Sequence, residues 1–492
     1  MITMITFGAD RRESAMRRLW IAAFVGGLTL ALYGCASPPS AAPAAVEIPD
    51  AWSVADVPAA GGTTSLVQWW SRFDDPLLGS LIAEALQANT SVKGAQASLS
   101  QARALRDVAA AGLLPAVGAS ASAQHATSGG HSSGNNYRAG LDASWEIDIF
   151  GANQSALDAS AASARASAAT LGNVQVSIAA EVALSYITLR GAQARLAIAD
   201  DNLASQLETL QITQWREQAG LVTSLESEQA RSQAEQTRAR LPGLRISIEQ
   251  TRHALAVLTG RPPAALAAVL AASGPVPRAA GQLVLGIPAE TLRQRPDVRA
   301  AEHQVSAALA RVAQADAARA PSFKLGGSLG ANAVTLGALT NGTSVVSALL
   351  ASVSMPVFDG GALRAQVRAQ QAALEQAGAA YQAAVLTALM EVEDALVALR
   401  SDDERLLSLQ SAAEAAANAA LMARERYSSG LTDFQTVLDT QRTQLNTQES
   451  VAIARADLSA DQVRLYKALG GGWRADSGDP ATSPIELRTS PL

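Results

Sequence analysis

Few side chains in this 492-residue chain could bind a metal or attack a substrate. There is one cysteine, Cys35, so no internal disulfide can form, and the four histidines, His125, His131, His253 and His303, are widely scattered. His125 and His131 share the polar segment "HATSGGHSS", but no third ligand accompanies them, so a solvated loop is expected there and no metal. No nucleophile elbow, phosphate loop, H-E-x-x-H or cysteine ligand cluster occurs, so the chain is expected not to be an enzyme and to need no cofactor. A net charge of −6 and a pI near 5.4, with no basic run, give a nucleic acid nothing to bind.

Cys35 has a chemistry set by its position. "MRRLWIAAFVGGLTLALYGC", Met16 to Cys35, opens on Arg17 and Arg18, continues apolar and ends in small residues, the plan of a secretory signal too short for an ordinary membrane span. Its "LYGC" resembles the bacterial lipobox, whose cysteine is lipidated and becomes the first residue of the mature chain. Several acyl chains, at about 0.8 kcal/mol per buried CH₂, anchor a protein stably. Ala36 in place of Asp after the cysteine implies, by the same resemblance, sorting to the outer membrane. Residues 1–15 read as an upstream extension of a signal complete from Met16, and "ASPPSAAPAAVEIP" as an extended tether.

The elements beyond that anchor are mostly helical. A hydrophobic fraction of 48% with only 4% aromatics means alanine-rich apolarity, suited to thin helices in close contact. Shifted by 210 residues, the chain matches itself: "EVALSYITLR" from Glu181 meets "EVEDALVALR" from Glu391, Gly151 meets Gly361, and "AGL" ending at Leu221 meets "SGL" ending at Leu431. Each copy carries a long helical pattern, Gln154 to about Trp215 and Leu363 to about Tyr427, which at 1.5 Å per residue extends roughly 90–100 Å. Each turns at a glycine, Gly220 or Gly430, and returns as a shorter helix over 222–258 or 432–469, the first expected to be interrupted at Pro242.

Before each long helix lies a strand pair with a Gly/Ser/Asn-rich loop, at 126–136 and 335–342. In "YRAGLDASWEIDIFG", Tyr137 to Gly151, the odd positions are apolar, and Arg138, Asp142, Ser144, Glu146 and Asp148 fill most of the even ones. Strands are expected at about 113–125, 137–149, 323–334 and 343–358, long enough to cross a bilayer when tilted. Ala139, Leu141, Ala143 and Trp145 would face lipid; Asp142, Ser144 and Glu146 would face a lumen. A membrane sheet must close on itself, and single-chain barrels have eight or more strands, so several chains must each donate four; three make twelve.

"WWSRFDDPLLGSLIAEALQAN" from Trp69, "LRQRPDVRAAEHQVSAALARVAQADAARAPSF" from Leu292, "AGLVTSLESEQA" from Ala219 and "RYSSGLTDFQTVLDTQRTQLNTQ" from Arg426 resemble the outer membrane factor family, TolC-like (NodT-type) lipoproteins of RND tripartite efflux systems. The resemblance implies a mainly α fold with membrane β: a homotrimer with a twelve-stranded barrel, four strands per chain, continued by a long periplasmic α-helical barrel. It divides the chain into a signal peptide (1–34), a lipidated tether and equatorial segment (35–75), a first efflux repeat (76–260), an equatorial linker (261–290), a second repeat (291–470) and an equatorial tail (471–492). The implied partners are outer-membrane lipid, a periplasmic adaptor and an inner-membrane RND-type pump that supplies the energy. A duct for type I protein secretion is the alternative, which lipidation at Cys35 disfavours. A periplasmic adaptor would have one helical hairpin and no membrane strands.

By the same resemblance the tunnel closes at its periplasmic tip. Asp439 in "LDTQR" looks like the acid of the constriction, where three carboxylates around a threefold axis would favour cations; the local alternative is an i,i+3 pair with Arg442. Gln435 stands where relatives often carry a bulky apolar gate residue, implying a polar constriction, with Phe434 and Asp433 nearby. Gly220, Leu221, Gly430 and Leu431 mark the turns that an adaptor would contact, within 216–224 and 426–436.

Overall fold

A computed structural model of the chain describes residues 48–49, 51–53, 66–128, 132–280, 292–340 and 345–474. Cys35 with its signal and tether, His131, residues 281–291 and the tail beyond 474 lie outside the described residues.

Asp75 opens the first helix, α1 (Pro76–Ala88), by accepting the N–H groups of Leu77 and Leu78, with Pro76 where its missing donor costs nothing. Asn89 closes α1 and caps α2 (Thr90–Ala111). Two strands follow, β1 (Ala116–Ser128) and β2 (Ser132–Ile147), then α3 (Ala152–Gln218) and α4 (Ser224–Leu258). The second copy supplies α5 (Pro296–Ala317), β3 (Ser322–Ala333), β4 (Val345–Ser354), α6 (Ala362–Ser428) and α7 (Phe434–Ala468).

The two copies match element for element, with one change of register. α3 and α6 are both 67 residues, α4 and α7 both 35, and every one of their ends is separated by 210. Upstream the separation is 206: α2 and α5, both of 22 residues, start at 90 and 296, and β1 and β3 at 116 and 322. The single shift of 210 therefore holds only after the hairpins, and the second hairpin is four residues longer.

The strands form one antiparallel sheet in the order β1-β2-β3-β4. The first starts later than the expected 113, after Pro115, which has no N–H for a ladder, and the fourth ends before Pro356, so Met355 and Val357 fall outside it. Most of 126–136 is ladder and not loop, with His125 opposite Asn135 and Ser128 opposite Ser132. Pairing uses backbone groups, so Gly, Ser and Asn side chains do not prevent it. Nor is α4 interrupted at Pro242: that residue and Arg238, whose carbonyl loses its donor, both lie on the exposed side of the helix, where water can replace the bond.

The main core sits where the chain's early, middle and late segments converge on the helices. Trp69 and Phe73 of a 3₁₀ segment (Leu66–Phe73) pack with Leu78 and Ile82 of α1, Tyr186 and Ile187 of α3, Leu255 of α4, Leu266 and Leu270 of the segment after α4, and Tyr466 of α7. Trp69 stacks on Tyr466 with ring centroids 5.3 Å apart. Trp473 lies on α3 at Gly172, where a Cβ would stand 2.6 Å from the indole, so only glycine admits it.

Candidate functional site

The sheet's two faces differ in chemistry. Ladder partners share a face, so Val117, Ala143, Gly327 and Leu349 form one apolar row, Ala119, Leu141, Leu329 and Ser347 another, and Trp145, Leu325 and Ala351 a third. Leu141, Leu329 and Leu349 are exposed there. The other face carries Gly118, Asp142, Ser328 and Ala348 in one row and Glu146, Lys324 and Ser352 in another. Ser120 donates to Asp142 at 3.1 Å and Lys324 pairs with Glu146 at 3.4 Å. Among the described residues β1 and β4 each have one edge without a strand partner. Among the described residues no helix is long and apolar enough to cross a membrane.

Far along the helices lie the two turns. In the first, Leu221 N–H donates to the Arg216 carbonyl at 2.8 Å and Gly220 N–H to Glu217 at 2.9 Å, with Gly220 at φ +71°. In the second, Leu431 donates to Arg426 at 2.8 Å and Gly430 to Tyr427 at 3.0 Å, with Gly430 at φ +74°. Both are Schellman caps, which need a left-handed residue at this position and hence glycine. Leu221 and Leu431 are left 70% and 71% exposed, apolar surface at the turns that no described residue covers. The returning helices start on caps at equivalent positions but of different kinds: Thr223 N–H donates to the Glu226 side chain at 2.8 Å, whereas the Asp433 side chain accepts from the Thr436 N–H at 2.8 Å.

Beyond the second turn the expected gate residues separate. Asp433 is exposed and caps α7; the hydroxyl and then the N–H of Thr436 hold its carboxyl below the usual range. Gln435 and Asp439 share an exposed face one turn apart, with Gln435 Nε2 donating to Asp439 Oδ1 at 3.1 Å. Arg442 also donates to Asp439, at 3.3 Å, and reaches Gln233 of α4 at 3.2 Å. Within one chain Asp439 therefore makes the local i,i+3 pair, while remaining half exposed.

Phe434 is not at a surface. It is 3% exposed, packed with Ala230, Ala423, Val437 and Leu438 and tilted against Tyr427 at 5.2 Å, so it cannot line a constriction. The reason is helix phase: as the first residue of α7 it shares the inward stripe of Val437 and Leu438, opposite to Gln435 and Asp439. Arg426 gives the turn its carbonyl and stays exposed. The cation on Tyr427 is Arg216 from the end of α3, its guanidinium 4.6 Å from the ring centroid. Burial raises the Tyr427 hydroxyl above its ordinary pKa. Sequence spacing could not find this pair, since its members lie on different copies.

A second pair of contacts holds the copies' ends. Arg295, 6% exposed, donates to the Ala468 carbonyl at 2.8 Å and pairs with Asp297 and Glu391, each at 2.6 Å. Burial works against the Asp297 charge, but the Arg295 guanidinium outweighs it and keeps the carboxyl below the usual range. In the first copy Asn89 Nδ2 donates to the Leu258 carbonyl at 2.9 Å. The "RPDV" segment is thus a clamp from the start of α5 onto the end of α7. His125 meets Asn135 at 2.7 Å, and no group of three metal-ligating side chains occurs among the described residues.

The model of the outer membrane efflux protein family matches residues 81–261 and 287–471, one match for each copy. The chain belongs to that family. The pyoverdine export outer membrane protein OpmQ of Pseudomonas putida is 33% identical over 466 residues, covering 92% of this chain and 97% of OpmQ. Nodulation protein T of Rhizobium leguminosarum bv. viciae is 30% identical over 469 residues, covering 94% and 95%. The solved structure of the outer-membrane channel OprN superposes with a TM-score of 0.82 at 35% identity, covering 89% of this chain and all of that one. The protein is accordingly an outer-membrane efflux channel component with a mainly α fold and a membrane sheet, cofactor-free and not an enzyme.

Proposed function

We propose that three copies of this chain form the exit duct of a tripartite efflux pump, passing small molecules from the periplasm or an inner-membrane pump to the exterior. The observation that carries the reading is the sheet: four strands, one apolar face, and two edges with unpaired backbone groups. In hydrocarbon each unmatched N–H or C=O costs several kcal/mol, roughly, so the edge of β1 must meet β4 of a neighbouring copy. Twelve strands enclose an open interior into which the polar face turns.

The helices α3, α4, α6 and α7 then line a periplasmic tunnel ending at the two turns. Asp439 and Gln435, with Asp433 at the helix start, are the polar constriction; a periplasmic adaptor docks on Gly220, Leu221, Gly430 and Leu431, and an RND-type pump in the inner membrane drives transport. Cys35 carries the lipid that tethers the mature chain after removal of a signal peptide, and the described parts of the equatorial segments, 66–75 and 261–280, belt the tunnel at mid-height.

Photo-cross-linkers at Leu221 and Leu431 are expected to trap the adaptor in cells; adducts only at the barrel end would overturn the docking assignment. Mass spectrometry of the mature N-terminus is expected to find acylated Cys35, and an unmodified cysteine would contradict the anchor.

A further inference from the structure

Charges on the polar face of the sheet follow an order along the strands. From the helix-side end outward the charged rows are Glu146 with Lys324, then Asp142, then Arg138. Glu146 and Lys324 neutralise each other, and Asp142 accepts from Ser120. Arg138 is exposed between its ladder partners Ser122 and Asn332, and no carboxylate among the described residues pairs with it. Four residues of strand separate Arg138 from Asp142, about 13 Å. The row between them is Ser120, Gly140, Gly330 and Val346, in which the facing glycines add no side chain. A Cβ on Gly330 would stand 2.8 Å from the Ala139 carbonyl, so the backbone of the neighbouring strand excludes a side chain at that position.

We propose that Arg138 is a specificity-determining residue of the outer mouth: three copies make a ring of guanidinium groups that attracts small polyanions and repels cations, set above an opposing ring of Asp142. The proposal rests on the trimeric barrel with its polar face inward. Guanidinium groups take phosphate and carboxylate through paired N–H donors, and between the low-dielectric walls of a lumen three of them act together on one multivalent anion. An exported anion then meets attraction at the last stage, while a cation leaving the tunnel passes from the Asp142 ring into repulsion. The ring also bars external polycations from entering.

The test uses the full-length protein in planar bilayers, with inositol hexakisphosphate as probe. Added to the barrel side at low salt, it is expected to reduce the wild-type current, with at least about tenfold more needed for Arg138→Gln, the loss of one strong charge-assisted contact per chain. Asp142→Asn is expected to block at the same or lower concentration, and the two variants to shift the reversal potential in a salt gradient in opposite directions, toward cations for Arg138→Gln. Equal block of wild type and Arg138→Gln overturns the assignment while leaving the duct intact. A wild-type protein that is monomeric with its strands intact overturns the duct reading itself, and this inference with it.

Discussion

The Arg216 guanidinium of α3 lies 4.6 Å from the centre of the Tyr427 ring of α6, joining the last turns of the two long helices beside the two glycine turns. Tyr427 in turn packs on Phe434 of α7, so one cation and two rings connect three helices. A contact of this kind contributes about 0.5–2 kcal/mol, depending on its desolvation. Arg216→Ala is expected to loosen the turn region and raise the fraction of time a bilayer-embedded channel conducts, with Arg216→Lys closer to wild type. Unchanged gating in Arg216→Ala would remove this pair from the closing device.

Asp439 is held by Gln435 and Arg442 in the single chain. Three such acids facing one axis favour cations, and Asp439→Asn is expected to lower cation preference in reversal-potential measurements. If the local pair with Arg442 is its whole role, the variant will match wild type in selectivity and differ only slightly in thermal stability, as exposed ion pairs contribute about 0–1 kcal/mol.

At the turns, Gly220 and Gly430 have free space around the position of a Cβ, so replacement fails for backbone reasons alone. Gly430→Ala is expected to cost about 1–2 kcal/mol in the left-handed region. Gly430→Asn, which tolerates that region better, is expected to cost less. Melting temperatures check the order; an alanine variant as stable as wild type would contradict the cap assignment.

Asp461 of α7 is 2% exposed, and its Oδ2 has no hydrogen-bond partner among the described residues although Arg464 holds Oδ1. Burial pushes its carboxyl above the usual range; Arg464 opposes this, and the neighbouring Asp402 adds to the rise. An acid raised in the folded state keeps a proton that the unfolded chain loses near pH 4, roughly. Its stabilising share is therefore full below that value and lost as pH rises through the folded pKa. Asp461→Asn is expected to melt above wild type at pH 7.5, with the gap closing near pH 4. A variant melting no higher at pH 7.5 would contradict this sign.

Much of the architecture was legible because it is periodic. Alternation in Tyr137–Ile147 sets the faces of β2, and the paired glycines at 220 and 430 mark turns whose caps need φ > 0. What escaped the sequence depends on partners distant along the chain. Arg295 reaches the Ala468 carbonyl across 173 residues, and Arg216 reaches Tyr427 from the other copy. Phe434 adjoins two exposed polar gate candidates in sequence, yet helix phase turns it inward. The polar 126–136 segment looks like a loop because side-chain composition does not report backbone pairing, which β1 and β2 continue to Ser128 and Ser132.

A four-stranded sheet with two unpaired edges closes in a membrane only with other copies of the chain. Native mass spectrometry of the protein released from detergent micelles tests it most directly, with circular dichroism of the same sample to verify that strand is present. The expected mass is that of three chains. A monomer that retains its full strand signal would contradict closure between chains.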